Sequence, residues 1–201
     1  MLTKENVIYA INSNQPIFIE KYETDVDKLV NWENVSRQFR ISLEKPNEGM
    51  LHNPYDTKGN VHFIDNNNFY LNHVHLIESK VRHLVKKIQS VHPKKYISTA
   101  MMVATLKDSL NVSGYEEIKG LMFDNYTNVS PYADKAYHEP NLHHDETDNL
   151  YLQCYGEVTW MINDVKYKLT PGDAIFVPSK TKHIVYIDGA PRLALIMNFL
   201  S

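Results

Sequence analysis

Three side chains toward the end of this 201-residue chain have the types and spacing of a metal site. His143 and Asp145 stand two apart in the stretch HHDETDNLYLQCYGE, and His183 opens a later apolar run after Pro178-Ser179-Lys180-Thr181. On a strand, residues i and i+2 point the same way, so His143 and Asp145 can reach one ion while His144 faces away. If the His183 segment lies beside them, two imidazoles and one carboxylate meet. That set suits non-haem Fe(II), because three protein ligands leave positions open for oxygen and a co-substrate. Zinc fits the same donors, although a single cysteine, Cys154, excludes the thiolate-rich structural zinc sites. Taken singly, His-x-Asp is a weak signal, and His183 reads equally as a half-buried histidine bonded to backbone.

Further polar residues fall on the same faces. Asn149, Tyr151 and Gln153 share the strand face of His143 and Asp145. Amides there either hold a ligand or close the polar end of a core. Arg192 lies beyond the turn Asp188-Gly189-Ala190-Pro191, which should send its strand back antiparallel to that of His183. Arg192, Ala194, Ile196 and Asn198 share one face. Turned inward, the guanidinium could pair bidentately with an organic carboxylate; turned outward, it is an ordinary surface arginine. Trp160, Phe176 and Phe199 read as packing residues, and Cys154 as a small buried hydrophobe.

The elements that must position these residues are short strands. After residue 118 they run Leu121–Tyr126, Leu150–Tyr155, Val158–Ile162, Val165–Leu169, Ala174–Val177, His183–Ile187 and Arg192–Phe199. Asn163-Asp164 reads as a hairpin turn and Pro171-Gly172-Asp173 as another turn. This texture predicts a small antiparallel barrel or double-sheet jelly roll over 118–201. The part before it, 1–117, reads as mainly helical and packed on the barrel, all within one domain spanning 1–201. Thr3 caps a first turn, Pro16 precedes a β-prone PIFIEKY run, and Trp32, Val35 and Phe39 recur at helical spacing. Residues 47–73 read as loop with one strand near Val61–Ile64. Ile77, Val81, Leu84, Val85 and Ile88 form the stripe of an amphipathic helix that Pro93 stops. A second helix is predicted over 98–110, capped by Ser98, with Met102, Thr105, Leu106 and Leu110 along one side.

Bulk composition narrows the function classes. Twenty-one basic against 24 acidic residues give a net charge of −3, which argues against a nucleic-acid partner or an anionic membrane surface. Lys86-Lys87 and Lys94-Lys95 read as solvated faces. One cysteine, no signal peptide and no long apolar run fit a soluble, cytoplasmic protein. There is no Gly-x-Ser-x-Gly elbow, no Gly-x-Gly-x-x-Gly and no phosphate loop.

His143-His144-Asp145-Glu146, Asn149, Gln153 and Gly156, followed by LTPGDAIFVPSKTKH, resemble the JmjC and related cupin-like Fe(II)/2-oxoglutarate oxygenases. That family joins an iron-binding His-x-Asp to a downstream Asn and Gln before a glycine. A Pro-Gly-Asp turn, a Pro and the distal His follow, here Pro171-Gly172-Asp173, Pro178 and His183. Gln15-Pro16-Ile17-Phe18-Ile19 and the segment around Trp32 also look like the family's opening. The stronger match covers about residues 140–200. The resemblance implies a cupin-like double-stranded β-helix and Fe(II) held by His143, Asp145 and His183. It further implies 2-oxoglutarate as small-molecule co-substrate, with hydroxylation of a protein side chain or a small molecule. The family often places Lys or Arg two residues after the glycine to bind the far carboxylate of 2-oxoglutarate, where this chain has Val158. Arg192 takes that role in the wider family's manner. Asn149, Gln153 and Tyr132 complete the co-substrate site in this resemblance, with Tyr126 or Lys182 read as assisting. The helical front offers a substrate wall or a homodimer interface. Two other classes share these residues: a metal-binding cupin enzyme without 2-oxoglutarate (isomerase, lyase or other oxygenase) and a non-enzymatic small-ligand-binding cupin.

Overall fold

A computed structural model describes residues 9, 11–23, 26, 29, 31, 33, 34, 37, 61–63, 69–90, 96–104, 142–188 and 192–200. Among the described residues, ten strands and two helices have complete bounds. They are β1 (Ile17–Ile19), β2 (Val61–Phe63), β3 (Phe69–Asn72), α1 (Val74–Ile77), α2 (Ser79–Gln89), β4 (Tyr96–Ala104) and β5 (Asp148–Tyr155). The series ends with β6 (Val158–Ile162), β7 (Val165–Leu169), β8 (Ala174–Val177), β9 (His183–Ile187) and β10 (Arg192–Leu200). Residues 9 and 11–13 are helical. Thr3, Trp32, Val35, Phe39, Lys94-Lys95, the strand expected at Leu121–Tyr126 and Tyr132 lie outside the described residues.

Two antiparallel sheets face each other as a mainly β double-sheet jelly roll. The larger has the order β1-β8-β5-β10-β4-β3-β2 and the smaller β7-β6-β9. The space between them is filled by inward residues of both: Ala100, Tyr151, Ile175, Val177 and Ile196 from one, Val158, Trp160, Ile162 and Leu169 from the other. The opposite face of the large sheet carries Leu150, Leu152, Cys154, Phe176, Leu195, Met197 and Phe199, which pack with Val81, Leu84, Val85 and Ile88 of α2. Those four aliphatics belong to the expected stripe, each contributing about 1.5–3 kcal/mol by leaving water, whereas Ile77, its fifth member, ends the separate helix α1. Cys154 is buried among them and its thiol is pushed up to about 12 by that burial, so it is inert packing.

Two expectations are corrected. Residues 98–104 are not helical: they belong to β4, which pairs with β3 and β10 in the large sheet. A strand covered on both faces reads as a near-continuous apolar run, which periodicity cannot separate from a buried helix. The front of the chain therefore does more than cover the barrel with helices, since β1, β2, β3 and β4 are built into its large sheet. Likewise β10 does not return beside β9. It crosses to the large sheet, between β5 and β4, while β9 pairs with β6.

The Pro171-Gly172-Asp173 turn ties the front of the chain to the barrel. Asp173 accepts hydrogen bonds at Oδ1 from the Lys21 backbone N–H (3.0 Å) and at Oδ2 from the Thr170 N–H (2.8 Å) and hydroxyl (2.7 Å). Burial pushes its carboxyl up, but these hydrogen bonds and the Lys21 ammonium outweigh it and hold the pKa below the usual range. A depressed folded-state pKa stabilises above the unfolded value, about 3.9, and that stability is lost as pH falls through the folded value. Asp173→Asn should therefore lower the urea midpoint at pH 7, and its gap to the parent should close as the pH drops toward ~2. A gap constant with pH would show that the charge does not hold the turn.

Candidate metal centre

The site forms at one end of the barrel, where three segments converge. His143 pairs with His183 in an isolated antiparallel bridge, the His143 N–H donating to the His183 carbonyl at 3.1 Å and the reverse bond measuring 2.8 Å. The segment that carries His143 thus touches the start of β9 through one isolated bridge, not as a strand: β5 begins only at Asp148 and lies in the large sheet. The two imidazole rings stand 4.3 Å apart between centroids, and Asp145 Oδ2 lies 3.7 Å from His183 Nε2. One ligand atom from each of His143, Asp145 and His183 falls within 4.8 Å of the others. The cluster is graded in burial: His143 is exposed at the mouth, Asp145 is half-buried and His183 is 1% exposed.

Two of the three ligands, His183 and Asp145, are oriented by neighbours. His183 Nδ1 is 2.9 Å from the Thr181 carbonyl, an acceptor only, so Nδ1 carries the proton and Nε2 presents its lone pair to the cluster. Burial lowers the pKa of His183, and His143 adds to this; the Thr181 carbonyl and Asp145 oppose it. The ring is held neutral, as a metal ligand must be. The close Asp145–His183 approach is accordingly a pair of donors facing one point rather than an ion pair. Asp145 Oδ2 accepts from Asn149 Nδ2 at 3.0 Å and from the Tyr151 hydroxyl. Asn149 Nδ2 also lies 3.1 Å from the Tyr151 oxygen, and the Thr147 hydroxyl donates to Asn149 Oδ1 at 2.9 Å. Two imidazoles and a carboxylate with these supports are compatible with a divalent metal site, and the donor set is that of the non-haem iron facial triad.

The other expected residues divide. Arg192 is 4% exposed on the inward face of β10, which it shares with Ala194 and Ile196, and its Nη1 lies 3.5 Å from Met102 Sδ. It sits at the far end of the barrel, since Phe199 is opposite Asp148 and Leu193 opposite Tyr155. Gln153 is buried on the inward face too, but its Nε2 donates to the Tyr155 (2.6 Å) and Gly156 (3.2 Å) carbonyls and so closes the β5–β6 turn. Val158 is wholly buried in the interior cluster. His144 is exposed beside Glu146, 3.2 Å away, and is not part of the cluster. Sequence reasoning missed the Thr181 carbonyl, the Tyr151 bond to Asp145 and the place of Trp160, whose ring lies 5.1 Å from that of His183. Alternation put Tyr151 on the correct face, whereas nothing in the sequence marks a backbone carbonyl as a histidine's partner.

The cupin domain family model matches residues 132–198. Among solved structures, an X-ray structure of Escherichia coli ycfD aligns at TM-score 0.60 with 11% identity, covering 100% of this chain and 54% of the other. A second structure, described as YcfD, a ribosomal oxygenase from Escherichia coli, in complex with cobalt and 2-oxoglutarate, aligns at TM-score 0.54. It has 12% identity over 93% of this chain and 48% of that one. The chain thus spans about half the length of these enzymes, and at such identity the likeness is one of fold. No curated protein sequence matches the chain. No helix among the described residues is long and apolar enough to cross a membrane.

Proposed function

We propose that this cupin-domain protein is an Fe(II)/2-oxoglutarate-dependent dioxygenase that hydroxylates a second substrate, either a protein side chain or a small molecule. The observation that carries this reading is the convergence of His143, Asp145 and His183 within 4.8 Å at the barrel mouth. His143, Asp145 and His183 would hold the metal, and Arg192 would receive the far carboxylate of 2-oxoglutarate. Asn149 fixes the Asp145 carboxylate by its hydrogen bond, and Gln153 holds the turn that carries the inward face of β5. Tyr132 completes the co-substrate site in this reading. Fe(II) with 2-oxoglutarate supplies oxygen activation coupled to loss of carbon dioxide and formation of succinate. The chain's own part is to bind and orient: Thr181 keeps the His183 proton on Nδ1, and the apolar interior keeps water from the acid. The ribosomal oxygenase named above favours a protein substrate, and a single buried cysteine is in keeping with the cytoplasm.

Anaerobic addition of Fe(II) and then 2-oxoglutarate should produce a weak visible charge-transfer band, followed in air by succinate. Iron binding without the band would sink the co-substrate half of this reading. Arg192→Met should raise the KM for 2-oxoglutarate by about 100-fold, the scale of losing a buried charged partner, with Fe(II) affinity unchanged. A second reading, a metal-dependent cupin enzyme that uses no 2-oxoglutarate, is favoured by Val158, an apolar side chain buried where the oxygenases often carry Lys or Arg. An R192M variant with unaltered kinetics would support it.

A further inference from the structure

Trp160 occupies the middle of β6, on the inward face between Val158 and Ile162. Ile162 is paired with His183, so Trp160 lies one inward side chain deeper than the metal cluster, about 7 Å along the strand. Its ring is 4.6 Å from that of Tyr151 and 5.1 Å from that of His183, and the residue is 1% exposed. Among the described residues, its Nε1–H has no acceptor. Buried indole N–H groups nearly always find one, because an unmet donor loses its bond to water without replacement.

The surrounding polar groups among the described residues do not supply that acceptor. The Tyr151 hydroxyl and Asn149 amide are turned to Asp145, and His183 Nδ1 to the Thr181 carbonyl. An indole can only donate. Among the described residues, what is missing beside it is therefore an oxygen acceptor, and the vacancy lies next to a metal ligand. A metal ion would not satisfy it, because a cation accepts no hydrogen bond. A carboxylate would, and Val158 leaves this part of the interior without the basic side chain that the oxygenases often place there.

We propose that Trp160 is a binding residue for the metal-chelating 2-oxo acid, its Nε1–H donating to a carboxylate oxygen of that acid. The inference rests on the 2-oxoglutarate reading above and deepens it: the acid is held by an indole donor inside the barrel as well as by Arg192. It predicts that the anion site tolerates loss of a conventional lysine because a neutral donor, already desolvated, is waiting for it.

The test uses ¹⁵N-labelled protein loaded with Zn(II) as a diamagnetic stand-in for Fe(II). The chain has two tryptophans, Trp32 and Trp160, so two indole N–H resonances are expected, and Trp160→Phe assigns them. Addition of 2-oxoglutarate should move the Trp160 resonance downfield and slow its exchange with water, leaving Trp32 in place. By calorimetry, W160F should bind 2-oxoglutarate roughly tenfold more weakly, as loss of one bond to a charged acceptor implies. If calorimetry shows the acid bound to the parent protein while the Trp160 resonance stays still, the proposal falls and the oxygenase reading stands. If the resonance moves with Zn(II) alone and no further with the acid, the donor serves a metal-bound water and the proposal also falls. Failure of the parent protein to bind 2-oxoglutarate at all would overturn both.

Discussion

Asp145→Ala should abolish succinate formation and weaken Fe(II) binding by at least about 100-fold, the upper end of what losing a mere orienting partner costs. The expectation follows from charge and geometry together. Asp145 is the one anionic donor in the cluster, and without it two neutral imidazoles would have to hold a dication alone. The two hydrogen bonds that Asp145 accepts, from Asn149 and Tyr151, exist to aim that carboxylate. Its side chain is 31% exposed at the mouth, in the loop before β5, so truncation opens no closed core cavity, and water entering the vacated space can meet the otherwise buried Asn149 and Tyr151 donors. The thermal transition should therefore stay close to the parent's in the absence of metal, which separates a binding defect from a folding one. Glu146→Ala supplies the control: that carboxylate is exposed beside His144 and should leave both metal affinity and turnover as they were. Unchanged Fe(II) affinity in D145A, measured anaerobically by calorimetry, would remove the triad as the metal site.

The parts of the molecule legible from sequence are those governed by local rules. The boundaries expected for β6, β7, β8 and β9 agree with the strands observed, because each is short, alternating or bounded by turn residues. Asn163 and Asp164 both adopt positive φ, 50° and 63°, the conformation that a two-residue hairpin demands. Strand parity suggested that His143 and Asp145 share a side, but both precede β5, and their meeting with His183 depends on a bridge between distant segments. What failed was the reading of elements whose environment is set by other elements. YISTAMMVA is apolar on both faces because α2 and its neighbours cover one and the barrel interior the other, and so it looked helical. The crossing of β10 to the large sheet is a topological choice that the turn Asp188-Gly189-Ala190-Pro191 does not encode. Trp160 was legible as a large core residue; that its N–H lacks an acceptor among the described residues emerges only when Tyr151, His183 and Asn149 are in place and their own bonds are counted.

Gly172→Ala should destabilise the protein by about 3 kcal/mol, a value in the upper range for single substitutions. Gly172 has φ +97°, where an L side chain is strained by roughly 1–2 kcal/mol before any contact is considered. A Cβ there would lie 2.6 Å from the carbonyl oxygen of Glu23, a backbone atom that no rotamer change can move aside. The approach is close because the turn is stitched on both sides: the Glu23 N–H donates to the Gly172 carbonyl at 3.2 Å, and the Gly172 N–H to Gln153 at 2.8 Å. Relieving the clash would pull the segment after β1 away from the β7–β8 turn and slacken the Lys21 bonds to Asp173 and Thr170. Against a net stability of about 5–15 kcal/mol this is a large fraction, and the urea midpoint should fall with little change in the slope of the transition. The Gly172 turn bonds to β5 at Gln153, toward the end away from Asn149 and Asp145, so G172A should keep most of its Fe(II) affinity at low temperature. Loss of metal binding in a G172A protein that is still folded would mean that the turn and the mouth are mechanically coupled along β5. An unchanged urea midpoint would mean that the Glu23 segment yields freely, and that the front of the chain is not anchored to the barrel at this turn.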